Sequence, residues 1–111
     1  MIRARGRQMQ HTPGKMNRTE ALYDQKLRMD LYSGKILWYK FEAIKFRLAK
    51  KTFYTPDFVV MEPDGGIVVH EVKGYMMDDA AVKLKVVSEM FPFRFLLIFK
   101  VGKSGWDISE V

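Results

Sequence analysis

"TPDFVVMEPDGGIVVHEVKG", Thr55–Gly74, sets two apolar runs on either side of a turn and threads Asp57, Glu71 and Lys73 into them. The runs Phe53–Met61 and Ile67–Lys73 read as strands, and "EPDGG" between them is a strong hairpin signal. Glu71 and Lys73 are two apart, so their side chains leave the same face. The turn decides whether Asp57 joins them. A loop centred between Asp64 and Gly65 sets Asp57 opposite Val72 and points the two acids apart. An odd loop centred on Asp64 sets Asp57 opposite Glu71, with Gly65 or Gly66 as the left-handed residue of a three-residue turn. A bulge has the same effect. Charges on strands can also serve only to deter edge-to-edge aggregation.

With the odd loop, the two carboxylates stand about 4.5–5.5 Å apart at their Cβ atoms. Adjacent anions repel, which is tolerable chiefly when a proton or a cation sits between them. Hard oxygen ligands suit Mg²⁺ or Mn²⁺, which acidify a water and polarise a phosphoryl oxygen. Lys73 beside them can orient the attacking water or steady charge developing on phosphorus. The chemistry these residues suit is phosphodiester hydrolysis.

Around this hairpin the chain alternates helix and strand. Asn17 followed by Glu20 forms a capping-box pattern, and Tyr23, Leu27 and Leu31 recur at helical spacing until Ser33-Gly34. Glu20 lies on that same stripe and is expected to turn inward. Leu37–Leu48 alternates at period two, with a bend near Ala43, and Lys50-Lys51-Thr52 reads as a turn. Asp78 and Asp79 are suited to cap a second helix running to about Phe91, which Pro92 ends. Arg94–Val101 is nearly all apolar and reads as a central strand buried on both faces. The expected order is α-β-β-β-α-β, an α/β fold, and the helical crossover permits parallel pairing of the last strand.

The 111 residues suffice for one domain with a modest core. Five of the 19 basic residues, Arg3, Arg5, Arg7, Lys15 and Arg18, and none of the 13 acidic ones fall in the first 18 positions. Residues 1–16 therefore read as a basic flexible arm suited to a phosphate backbone, and 17–111 as the globular domain. Lys45, Arg47, Lys50 and Lys51, interleaved with aromatics, form a second basic cluster that can meet DNA. The absence of cysteine excludes a thiol nucleophile and a zinc-thiolate site, and fits a cytoplasmic setting. No apolar run approaches the roughly 20 residues of a membrane span, and no secretion signal is apparent. With only two histidines, a histidine-rich metal site is not expected, and His70 alternates to the face opposite Glu71.

Pro56-Asp57 followed by Glu71-Val72-Lys73 resembles the PD-(D/E)XK signature of the restriction-endonuclease-like nucleases, whose core has the same α-β-β-β-α-β order. "KMNRTEALYDQKL", "WYKFEAIKFRLAKKTFYTPDFVV" and "HEVKGY" resemble a small phage-encoded family of that kind, from about Lys15 to Phe99. The resemblance implies a mixed sheet flanked by helices. It implies that Asp57 and Glu71 bind Mg²⁺ or Mn²⁺ with the backbone carbonyl of Val72, and that Lys73 assists the nucleophile. Glu20 matches a first-helix glutamate that many members place near the metal. Pro63-Asp64 also fits the first half of the signature but reads as turn chemistry, and Asp24-Gln25-Lys26 fits the second half from mid-helix. Phage junction-resolving endonucleases share the small, basic, helix-first layout and work as dimers.

The expectation is thus a divalent-metal-dependent DNA endonuclease selective for branched or junction DNA. It would act as a homodimer when cutting two strands symmetrically, without a membrane or an organic cofactor. The alternative is a non-catalytic DNA-binding or assembly-associated phage protein on the same fold. Nothing in the residues excludes RNA as substrate.

Overall fold

Asn17 caps the first helix, α1 (Arg18–Tyr32): its Oδ1 accepts from the Glu20 N–H at 2.8 Å, and Glu20 Oε1 accepts from the Asn17 N–H at 2.9 Å. The capping box read from the sequence is therefore present. These contacts come from a computed structural model, which describes residues 13–74 and 78–111. Tyr23 and Leu27 are buried as expected, but Leu31 is 41% exposed. The chain turns back there through Lys35 and Ile36 N–H bonds to the Asp30 carbonyl, and Ile36 fills the core in place of Leu31. Arg3, Arg5 and Arg7 lie outside the described residues. From Pro13 onward the chain meets the domain: Gly14 N–H donates to Glu42 Oε1 at 2.8 Å, and Met16 packs against the core.

Among the described residues seven strands follow: β1 (Trp38–Phe41), β2 (Phe46–Ala49), β3 (Thr52–Tyr54), β4 (Phe58–Met61), β5 (Ile67–Lys73), β6 (Arg94–Val101) and β7 (Gly105–Glu110). A second helix, α2 (Asp78–Met90), joins β5 to β6. The side chains of Asp78 and Asp79, expected as its caps, lie outside the described residues. Five strands form one sheet in the order β1-β4-β5-β6-β7, in which only β5 and β6 run parallel. Among the described residues the chain is thus a mixed α/β fold with two helices and a mixed sheet. β5 occupies the centre, and β6, expected as a central strand buried on both faces, is an interior strand between β5 and β7.

The run Phe53–Met61 is not one strand. Pro56 has no N–H to give a ladder, and pairing stops across Thr55–Asp57. Its first part, β3, pairs instead with β2 in a separate two-stranded hairpin, closed at Lys51 with φ +60°. The sheet itself keeps the expected α-β-β-β-α-β succession, with this hairpin inserted between its first two strands and β7 appended.

β5 serves both faces of the sheet. Val68 and Val72 join Tyr23, Leu27, Phe58 and Ile98 beneath α1, while Val69 joins Phe46, Tyr54, Leu84, Val87 and Phe95 beneath α2 and the hairpin. Alternation then sends Glu71 and Lys73 toward the hairpin side and His70 toward α1. Among the described residues, no helix is long and apolar enough to cross a membrane.

Candidate metal and phosphodiester site

The β4–β5 turn has the odd length that the site needs. Val59 pairs with Val69 and Met61 with Ile67, a register centred on Asp64. Glu62 N–H donates to the Gly66 carbonyl at 2.9 Å and Gly65 N–H to the Glu62 carbonyl at 2.8 Å, enclosing Pro63-Asp64-Gly65. Gly65 has φ +87°, and a Cβ there would meet nothing, so backbone conformation rather than space favours glycine. Asp64 is exposed and accepts from Gly66 N–H at 2.8 Å, which is turn chemistry, as read. Asp24 is bonded to Arg28 and to the Tyr39 hydroxyl, both at 2.7 Å, within the α1–β1 packing.

Asp57, just before β4, therefore meets the end of β5. Its Oδ2 accepts from Val72 N–H at 2.8 Å, and its own N–H donates to Glu71 Oε1 at 3.3 Å. Lys73 Nζ lies 3.0 Å from Glu71 Oε2. Glu20 reaches the same place from the first turn of α1, near enough for its charge to help raise Asp57. Glu20, Asp57 and Glu71 are 6%, 6% and 4% exposed. The four side chains expected to work together are thus brought together, and Glu20 caps its helix while doing so.

Tyr54 was not foreseen. Its hydroxyl donates to Glu71 Oε1 at 2.5 Å from the end of β3. Tyr54 and Asp57 are three apart, which an unbroken strand would place on opposite faces; the break at Pro56 lets both reach Glu71. A proline inside an otherwise apolar strand was the available signal.

Three buried carboxyl groups share one lysine. Burial, then the neighbouring Glu71 and Glu20, push Asp57 up to about 9, so it holds a proton at neutral pH despite the Val72 N–H bond. Burial works to lower Lys73, but Glu71, with Asp57 and Glu20 behind it, outweighs burial and keeps the amine an ammonium. Burial and then Glu71 and Asp57 push the Tyr54 phenol far up, so it remains a donor.

On the other face of β5, His70 Nδ1 shares a 2.7 Å hydrogen bond with the buried Tyr23 hydroxyl. Burial, then Lys26 and Arg94, lower His70 to about 4, so it is a neutral acceptor. We expect its imidazole resonances to stay those of the neutral ring from pH 8 to about pH 4; a midpoint near 6.5 would contradict this packing.

The oxygen donors gathered here are of the kind a hard divalent cation takes. Asp57 and Glu71 supply carboxylate oxygens, and Glu20 has one oxygen beyond the one used in the cap. A strand residue's C=O lies on the same edge as its N–H, so the Val72 carbonyl faces the Asp57 side. The proton on Asp57 marks the uncompensated negative charge a cation would neutralise. Among the described residues, no group of three or more His, Cys, Asp or Glu side chains is already spaced as a metal cage. Glu71 is instead turned onto Lys73 and Tyr54.

Those basic residues expected to meet DNA that are described fall in two places. Lys15 and Arg18 are exposed beside the α1 cap, at the end of the helix that carries Glu20. Lys45, Arg47, Lys50 and Lys51 are exposed on or beside the β2–β3 hairpin, with Lys45 Nζ 4.5 Å from the Phe53 ring centroid. No protein-family model matches the chain, and no curated protein matches it.

Proposed function

We propose that the protein is a divalent-metal-dependent endonuclease of the PD-(D/E)XK kind, hydrolysing DNA phosphodiester bonds. The observation that carries this reading is the meeting of Asp57, Glu71, Lys73 and Glu20 at the end of β5, created by a turn centred on Asp64. Acids that share a proton, beside an ammonium, are costly to bury without a use. Asp57, Glu71, the Val72 carbonyl and Glu20 would hold Mg²⁺ or Mn²⁺, which when bound acidifies a water and polarises a phosphoryl oxygen. Lys73, a cation throughout, donates hydrogen bonds and steadies negative charge on the phosphoryl group; it does not remove a proton from water.

The hairpin lysines and Arg47, with Lys15, Arg18 and the arm, would carry the phosphate backbone. Such contacts hold no base information, so selectivity would come from DNA shape, as at a branch or junction. Symmetric cutting of two strands would take a homodimer. Removing residues 1–12 deletes Arg3, Arg5 and Arg7 and should lower the slope of log affinity against log salt by up to about 3. An unchanged slope would remove the arm from the interface.

The test is incubation with duplex, branched and single-stranded DNA in Mg²⁺, Mn²⁺ or chelator. Cleavage only with metal, fastest on branched DNA, is expected. One observation favours a second reading, a non-catalytic DNA-binding or phage assembly-associated protein: Tyr54, Lys73 and the Val72 N–H already satisfy much of the acid pair. That reading expects binding without cleavage on every substrate.

A further inference from the structure

We infer that Tyr54 is a positioning residue for the metal ligand Glu71, presented to the site by the basic hairpin. The inference rests on the nuclease reading and adds a residue that the PD-(D/E)XK pattern does not contain.

Glu71 has two oxygens with different partners. Oε1 accepts from the Tyr54 hydroxyl at 2.5 Å and from Asp57 N–H at 3.3 Å, while Oε2 faces Lys73 at 3.0 Å. Lys73 alone would leave the carboxylate free to turn about its terminal torsion, which is a broad one. The phenol fixes that torsion from the opposite side. Each carboxylate oxygen has a further lone pair, so Oε1 can keep its phenol bond while a cation binds. Tyr54 is buried, and its hydroxyl is the donor in this bond.

Tyr54 is in turn held by the hairpin. It is paired across the ladder with Phe46, whose ring contacts Phe91 and Phe95 with centroids 4.6 and 5.8 Å away. The hairpin has no ladder with the five-stranded sheet. Within the hairpin, the Tyr54 side chain reaches the site and hydrogen-bonds to Glu71. Residues 43–56 carry Lys45, Arg47, Lys50 and Lys51 and no acid. The same small unit therefore offers cations to a phosphate backbone and a hydrogen bond to the carboxylate that would hold the metal.

Hydrogen-bond partners of metal ligands typically contribute 10–100-fold to metal affinity. Tyr54→Phe keeps the ring and removes the hydroxyl. Calorimetric titration with Mn²⁺ should show Kd raised by at least 10-fold. Cleavage should be slower at limiting Mn²⁺ and return toward the wild-type rate at saturation. A double-mutant cycle supplies a second readout, with the Mn²⁺-induced rise in Tm measured for all four proteins. In a Glu71→Gln background, Tyr54→Phe should change that rise no further, because the phenol acts through the carboxylate. Unchanged Mn²⁺ affinity in Tyr54→Phe, additive effects in the cycle, or a cleavage defect that excess metal does not relieve would overturn the inference. Wild-type protein that binds no Mn²⁺ would instead overturn the nuclease reading beneath it.

Discussion

Asp57→Asn is expected to abolish metal-dependent cleavage and, in chelator, to make the protein more stable than wild type. Removing a charged metal ligand costs several kcal/mol of transition-state stabilisation, about 10³-fold or more in rate. The stability gain has a different origin. Asparagine can still accept from the Val72 N–H, so that bond of Asp57 survives. What disappears is the cost of keeping a proton on Asp57 that the unfolded chain releases near pH 4.

A carboxyl raised to about 9 in the folded state gives stability that is full below pH 4 and declines as pH rises toward 9. His70, lowered to about 4, works oppositely: its contribution is full above pH 6.5 and is lost as pH falls toward 4. The two offset one another between pH 4 and 6.5. Above 6.5 the Asp57 effect stands alone, so wild-type stability in chelator should fall from pH 6.5 to 9. Asp57→Asn should lack that fall, so its margin over wild type should widen by about 2 kcal/mol from pH 6.5 to 8, roughly 10 °C in Tm. Thermal melts across this range check it; parallel curves for the two proteins would contradict the shared proton.

Phe46→Ala should give the largest loss of stability. Phe46 is buried against Phe91, Phe93 and Phe95, with ring centroids 4.6, 6.2 and 5.8 Å away, and anchors a hairpin that has no ladder with the main sheet. Truncating a buried phenylalanine costs about 3–5 kcal/mol. The loss should fall first on the hairpin, seen as faster amide exchange in Phe46–Tyr54 than in β5. Uniform exchange across both elements would show that the hairpin and sheet open as one unit.

Much of the site was legible because its parts are local. The Asn17–Glu20 spacing gave the cap, strand alternation put Glu71 and Lys73 on one face, and Gly65 after Pro63-Asp64 favoured the turn that aligns Asp57. Other features depend on partners that local patterns do not reveal. Leu31 fits the apolar stripe, but Ile36 reaches its expected place once the chain turns back at Asp30. Strand β7 is mostly exposed and shows only Trp106 and Ile108 in alternation, too little to mark a strand by pattern. Tyr54 looked like one more aromatic in an apolar run. Its contact with Glu71 exists because Pro56 breaks that run and sends β3 to a different partner strand.

The most direct test of the metal-site account is conversion of supercoiled plasmid to open circle, where one cut per molecule is visible. Wild type should nick the plasmid with Mg²⁺ or Mn²⁺ and not with chelator, while Asp57→Asn and Lys73→Ala, folded by thermal melt, should be at least 10²-fold slower. No nicking by wild type with either metal, or equal nicking by the two variants, would contradict it.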